Sequence, residues 1–82
     1  MWMSNIYIMV SQNNFDRNTL GDLCTAVAET GATIVAIDEQ NLMIEAATPA
    51  HEVPTIAAME GVKYVRCIFT YLADPSRQPV AA

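Results

Sequence analysis

The residues with the most reactive side chains are few and far apart in the sequence. His51 is the one histidine, and Cys24 and Cys67 are the two cysteines. A zinc site needs three or four nitrogen, sulfur or carboxylate ligands, and nucleophilic catalysis needs a nucleophile that is held beside a base. We therefore predict no metal, no cofactor and no catalytic site. We expect His51 to be exposed at the start of a helix, and both cysteines to be small buried apolar residues.

The composition indicates one folded, acidic domain. The chain has 82 residues, of which 52% are hydrophobic and 16% charged, and four Lys and Arg against nine Asp and Glu give a net charge of -5. Disordered chains combine low hydrophobicity with high charge, so disorder is excluded. Binding to nucleic acid requires a cationic surface to neutralise phosphates, so the charge argues against DNA or RNA as a partner.

No segment reads as a leader or a membrane span. The first ten residues have no basic start, and Ser4 and Asn5 interrupt their apolar run. No apolar run approaches the ~20 residues that a spanning helix needs. We therefore expect a cytoplasmic protein without a membrane contact.

Hydrophobic spacing predicts four strands and two helices. Short β-branched and aromatic runs bounded by polar residues indicate strands, and apolar residues at three- and four-residue intervals indicate helices. Asp16 is the expected N-cap of the first helix, with a Phe15–Leu20 staple, and Gly31 its C-cap. Thr48-Pro49 is expected to open the second helix. The predicted elements are strand 6–10, helix 17–30, strand 33–37, strand 42–47, helix 53–60 and strand 62–72.

This order of elements predicts an α+β fold of the ferredoxin-like βαββαβ type. In such a sandwich four antiparallel strands form one sheet, and both helices cover one of its faces. We assign residues 1–73 to this single domain and residues 74–82 to a flexible tail, because Pro75 and Pro79 cannot continue a sheet.

The face of the sheet that the helices leave uncovered is predicted to be apolar. A face exposed to solvent is normally polar, and larger exposed apolar patches mark interfaces. If residues alternate strictly along each strand, Thr70 also belongs to this face. We predict that it binds a partner protein or a second copy of the chain. The predicted site residues are Tyr7, Met9, Met43, Glu45, Tyr64, Arg66 and Ile68.

Two stretches of the chain resemble the propeptides of subtilisin-type proteases and the related proteinase inhibitors. The first runs from Thr48-Pro49-Ala50 through Ala57-Ala58-Met59-Glu60-Gly61-Val62 to Tyr64-Val65, and matches a short helix, a Gly-Val turn and a Val-x-x-Val entry into the last strand. The second stretch consists of strand 6–10 and the helix that ends at 30–32. It resembles the first strand and helix of that family.

The resemblance implies a non-enzymatic inhibitor. Members of that family dock the open sheet face on the protease and place the C-terminal tail in the substrate cleft. For this chain it implies a docking face around Tyr64 and a tail that includes Asp74, Pro75, Ser76 and Arg77.

Other functions remain open for the same fold. Amino-acid-binding ACT domains are similar in outline and dimerise side by side, and the chaperones of nitrate reductase maturation bind a signal peptide on the sheet. RNA-binding domains stack bases on sheet aromatics, for which Tyr7 and Tyr64 would be available, but a cationic surround is missing. An enzyme built on a dimer is the least supported alternative.

Overall fold

The fold is an antiparallel sheet of four strands with two α-helices, which confirms the predicted α+β class. A computed structural model of the chain describes residues 1–12 and 17–73. In chain order, the elements are β1 (Trp2–Val10), α1 (Arg17–Glu29), β2 (Thr33–Asp38), β3 (Met43–Pro49), a 3-10 turn (Ala50–Glu52), α2 (Val53–Ala57) and β4 (Val62–Leu72).

Strand β1 lies in the interior of the sheet. It pairs antiparallel with β3 on one side and with β4 on the other, and β2 pairs with β3, so the order across the sheet is β2-β3-β1-β4. Because β2 and β4 are the outer strands, each has one edge without a strand partner in the described part of the chain. Strand β4 is the longer of the two, with 11 residues.

One face of the sheet and both helices form the hydrophobic core. Alternate residues of β1 point into it, and Ile6 and Ile8 have no exposed surface. The same cluster contains residues of β3, α1 and α2, and a fully buried isoleucine of the size of Ile44 contributes ~2–3 kcal/mol. The buried apolar residues are Ile6, Ile8, Val10, Leu20, Leu23, Val27, Ala32, Ile44, Ala46 and Ile56.

Local signals fix the ends of α1 and of the β2–β3 hairpin. Gly31 has a φ of 96°, the left-handed conformation predicted for the residue that ends α1. In the hairpin, Asp38 accepts hydrogen bonds from the backbone N–H groups of Gln40 and Asn41. The sequence predicts a polar turn at 38–41, between strands 33–37 and 42–47, and this Asx-type turn confirms it.

The predicted start of the second helix, Val53, is confirmed, whereas its expected opening at Thr48-Pro49 and its predicted end are wrong. Thr48 and Pro49 belong to β3 and are both buried, so they do not open the helix as expected. Pro54 is tolerated because it occupies the first turn of α2, where its missing N–H breaks no helical hydrogen bond. The helix ends at Ala57 instead of residue 60.

Three further expectations differ from the structure or lie outside it. Strand β1 begins at Trp2, four residues before the predicted start. Helical spacing predicts one buried stripe on α1, formed by Leu20, Leu23, Cys24, Val27 and Ala28, but Ala28 is exposed. The predicted cap at Asp16, its staple residue Phe15 and the tail 74–82 lie outside the described residues.

Candidate functional site

The candidate site is the face of the sheet opposite the helices, which we call the open face. It follows from the register, because residues that pair across two strands point to the same side of a sheet. Met3, Asn5, Tyr7 and Met9 alternate with the buried residues of β1 and so lie on this face. The other members are their partners on β3 and β4, namely Met43, Glu45, Ala47, Tyr64, Arg66, Phe69 and Tyr71.

These residues form rows that cross β3, β1 and β4. Tyr7 of β1 has Glu45 of β3 on one side and Arg66 of β4 on the other. In the same order, the rows are Met43–Met9–Tyr64, Glu45–Tyr7–Arg66 and Ala47–Asn5–Phe69, and at the far end Met3 pairs with the buried Pro49 of β3 and with Tyr71 of β4.

A bulge in β4 decides which of its aromatic residues reach the open face. Ile6 pairs with Cys67 and the preceding Asn5 pairs with Phe69, so Ile68 has no partner on β1. Beyond this extra residue the alternation along β4 is reversed. Phe69 and Tyr71 therefore lie on the open face, whereas strict alternation predicts that Thr70 lies there.

Two contacts of Thr70 support this correction. Its Oγ1 lies 2.9 Å from Oγ of Ser4, a residue of β1 that is buried on the helix side. The same Oγ1 lies 3.6 Å from Sγ of Cys67, three residues earlier. In a regular strand, residues three apart point to opposite faces, so this contact is possible only across the bulge.

The aromatic residues of β4 are largely exposed. Tyr64, Phe69 and Tyr71 have exposed fractions of 49%, 51% and 37%. The rings of Phe69 and Tyr71 have centroids 5.6 Å apart, a favourable tilted contact. Tyr7, Met9 and Met43 are half-buried beside them. The open face is therefore apolar at its centre and along β4.

The polar groups of the open face have unused bonding capacity. Within the described residues, neither Glu45 nor Arg66 takes part in an ion pair. Oδ1 of Asn5 is buried and accepts no hydrogen bond from the rest of the described chain. Such an atom costs ~1–3 kcal/mol unless a donor reaches it. The face thus combines apolar area with one acid and one base that a ligand could engage, and with a buried amide oxygen that lacks a donor in the part of the chain that the structure describes.

A depression of about 480 Å³ adjoins the open face at the end of β1. It shares Met9 and Tyr64 with the open face, and Lys63 supplies a cation at its rim. This volume is in the range of small-molecule sites. The remaining lining residues are Val10, Ser11, Gln12, Asn41 and Leu42.

The reactive residues are not gathered into a site. Nε2 of the exposed His51 lies 3.2 Å from Oε1 of Glu52, its neighbour in sequence. Both cysteines are free; Cys24 is partly buried, which raises the pKa of its thiol, whereas Cys67 is exposed, against our expectation, because β4 lacks cover there. Among residues 1–12 and 17–73, no three His, Cys, Asp or Glu side chains come together as metal ligands would.

Six of the seven predicted sheet residues lie together on the open face. Tyr7, Met9, Met43, Glu45, Tyr64 and Arg66 hold the positions that alternation assigns to them, since they precede the bulge or belong to β1 and β3. Ile68 is the extra residue of the bulge. Of the predicted tail residues, Asp74, Pro75, Ser76 and Arg77 are outside the described part of the chain. Sequence reasoning missed Met3, Asn5, Ala47, Phe69 and Tyr71.

Comparison with known proteins finds no match to this chain. No family model matches the chain, and neither a curated protein nor a solved structure is similar to it. The described helices are all too short or too polar to cross a membrane. A functional hypothesis therefore depends on the open face itself.

Proposed function

We propose that the chain is a non-enzymatic protein-binding module that docks its open face on another polypeptide. The single observation that carries this proposal is the ridge of Tyr64, Phe69 and Tyr71, each more than a third exposed beside half-buried methionines. Aromatic and methionine side chains are enriched at protein interfaces because they provide a large contact area and because methionine adapts its shape to the partner.

The proposal includes a ferredoxin-like sandwich of the kind found in subtilisin-type propeptides and inhibitors. The order of elements and the interior position of β1 between β3 and β4 support this architecture. In the proposed complex the protease covers the open face, and the segment that begins at Asp74 enters its substrate cleft. Ala73, the last residue before this segment, is held at the sheet by the hydrogen bond from its N–H to the carbonyl of Met1, 2.8 Å long.

Inhibition of a subtilisin-type protease by the purified chain tests this proposal. We expect Tyr64→Asp and Met43→Asp each to weaken inhibition at least about 30-fold, the loss that corresponds to a contact of ~2 kcal/mol. Leu72→Asp is the matched control, because Leu72 pairs with Trp2 on the other side of the sheet and is 63% exposed. It should leave inhibition unchanged.

The outcome that contradicts the proposal is equally clear. If Tyr64→Asp and Met43→Asp keep both the wild-type interactions and the wild-type oligomeric state, the open face has no binding role. Circular dichroism of each variant verifies that the chain remains folded, so that lost inhibition cannot be attributed to unfolding.

The depression beside the open face favours a second candidate, a regulatory domain that binds a small metabolite. Its volume and its mixed lining, with Lys63, Asn41 and Ser11 next to Tyr64, suit an amino acid or another small carboxylate. A thermal-shift screen with such ligands tests it, because a ligand that binds only the folded chain raises its apparent stability. The shift should disappear in Lys63→Gln, and the absence of any shift would rule this candidate out.

A further inference from the structure

Strands β3 and β4, which lie on either side of β1, carry complementary residues in three rows of the open face. On β3 the rows hold an acid, Glu45, and a small residue, Ala47. The same rows on β4 hold a base, Arg66, and a large aromatic residue, Phe69. The third row places the flexible Met43 across from Tyr64, and sulfur–aromatic contacts are favourable. Thus the residues of β3 complement those of β4 in charge, size and chemistry, and β1 lies between the two strands.

We propose that the occupant of the open face is a second copy of this chain, related by a two-fold axis that runs parallel to β1 above Tyr7. This inference rests on the proposed role of the open face as a docking surface, and it names a second copy, instead of a protease, as the polypeptide that covers it. Such an axis exchanges left and right but keeps positions along the strand. Each β4 therefore lies over the β3 of the other copy, row by row.

The resulting contacts are paired in both directions. Arg66 of each copy lies over Glu45 of the other, Phe69 over Ala47, and Tyr64 over Met43. Packed sheets lie ~10 Å apart, and an axis parallel to β1 keeps the facing rows of the two copies aligned. Arg and Glu are long enough to close that distance, so two symmetric ion pairs form where each single copy has none.

The same axis also brings a hydrogen-bond donor close to Asn5 of β1, whose side-chain oxygen has none among the described residues. Asn5 lies on the axis and therefore faces its own counterpart. A rotation of the side chain allows the Nδ2 group of each amide to donate a hydrogen bond to Oδ1 of the other. This supplies a donor for an acceptor that has none within the described chain.

The other simple two-fold arrangement is disfavoured by charge. An axis perpendicular to the strands and centred on the same row places Arg66 over Arg66 and Glu45 over Glu45. Like charges brought together in an interface are strongly unfavourable.

Strand β2 lies outside the proposed contact between the two copies. Its residues that point to the open face, in register with β3, are small or polar, namely Thr33, Ala36 and Asp38.

The dimer is expected to be reversible. Three strands span about 14 Å across the sheet, which is narrow for a standard interface of ~800 Å² per partner. The mass of the chain should therefore rise from monomer to dimer with concentration, and sedimentation velocity measures this directly.

Charge reversal provides the test. We expect Arg66→Glu and Glu45→Arg each to raise the dissociation constant of the dimer at least about tenfold, since each places two like-charged pairs in the interface. The double variant restores opposite charges between copies and should return to within about threefold of wild type. An equimolar mixture of the two single variants shows that rescue occurs between copies, because each chain alone then carries only like charges at positions 45 and 66. The mixture should dimerise about as well as wild type. Lys63→Glu has the same charge change as Arg66→Glu but lies outside the register with β1, so it should have no effect.

Two results would overturn this inference. A wild-type chain that stays monomeric up to about 1 mM excludes the dimer, and it leaves the docking of a different protein, tested by Tyr64→Asp with a protease, unaffected. A dimer that ignores the single reversals, or that the double reversal does not rescue, is formed by another surface.

Discussion

Asp38 shows how one side chain organises the hairpin between β2 and β3. Its Oδ1 accepts from the N–H groups of Gln40 and Asn41, both at 3.1 Å, and its Oδ2 accepts from Nδ2 of Asn41 at 2.8 Å. The bond from the Asn41 side chain, followed by that from its backbone, holds the pKa of Asp38 below its usual range. These bonds favour the ionised carboxylate.

Replacement of Asp38 by alanine is therefore expected to destabilise the chain in a pH-dependent way. A carboxyl group with a lowered pKa in the folded state contributes stability above its unfolded pKa of ~4 and loses it as the pH falls through the folded pKa. The stability difference between wild type and Asp38→Ala should be constant near neutral pH and shrink below about pH 4. Urea unfolding at several pH values measures it.

Asp38→Asn is the matched control for that experiment. It keeps an acceptor oxygen but has no charge to lose, so the difference between Asn and Ala at this position should not change in the acidic range. A difference between wild type and Asp38→Ala that stays constant from neutral pH to pH 2 would contradict the role given to the ionised side chain.

At the level of the elements, the two glycines of the α1 region have opposite roles. Gly21 lies inside α1, and a Cβ at this position meets nothing within 4 Å. Gly31, which follows the helix, has a φ of 96°. Alanine fits the first backbone conformation well and the second poorly.

The paired substitutions should therefore have effects of opposite sign. Gly21→Ala is expected to stabilise the chain by ~0.5–1 kcal/mol, because it removes the entropic cost of glycine in a helix. Gly31→Ala is expected to destabilise it by ~1–2 kcal/mol, because alanine is strained at positive φ. Thermal unfolding followed by circular dichroism compares the two. Equal effects would mean that α1 does not end as described.

The sequence predicts most elements because their signals are local. The period of α1, the left-handed glycine after it and the polar turn at Asp38 depend only on neighbouring residues, and these features were confirmed. The start of β1 was missed since Ser4 reads as a strand boundary, although it is buried against Thr70. Pairing between distant residues, not local preference, extends β1 to Trp2.

For the same reason, the sequence does not predict which β4 residues after the bulge point to the open face. Alternation correctly places Tyr64 and Arg66, but the extra residue at Ile68 depends on how β4 pairs with β1. No turn residue or glycine marks the position in 62–72. The open face was therefore predicted in its central part and missed at Phe69 and Tyr71.

For the molecule as a whole, stability is expected to come from the centre of the sheet. Ile44 is fully buried, whereas its register partner on β2, Ile37, is 47% exposed. Ile44→Ala should destabilise the chain by ~2–5 kcal/mol, and Ile37→Ala by about 1 kcal/mol or less. A domain of this size has a small stability margin, so the first variant will be partly unfolded at 37 °C. Comparable losses in urea unfolding would contradict a core that is centred on the interior strands of the sheet.

The central claim is that a second polypeptide covers the open face. The most direct measurement is photo-cross-linking from p-benzoylphenylalanine placed at position 69 on the open face or at position 72 on the opposite side, in the purified chain alone and with a subtilisin-type protease. We predict a cross-linked product from position 69, to a second copy or to the protease, and little from position 72. No product from position 69, or equal products from both positions, would contradict the claim.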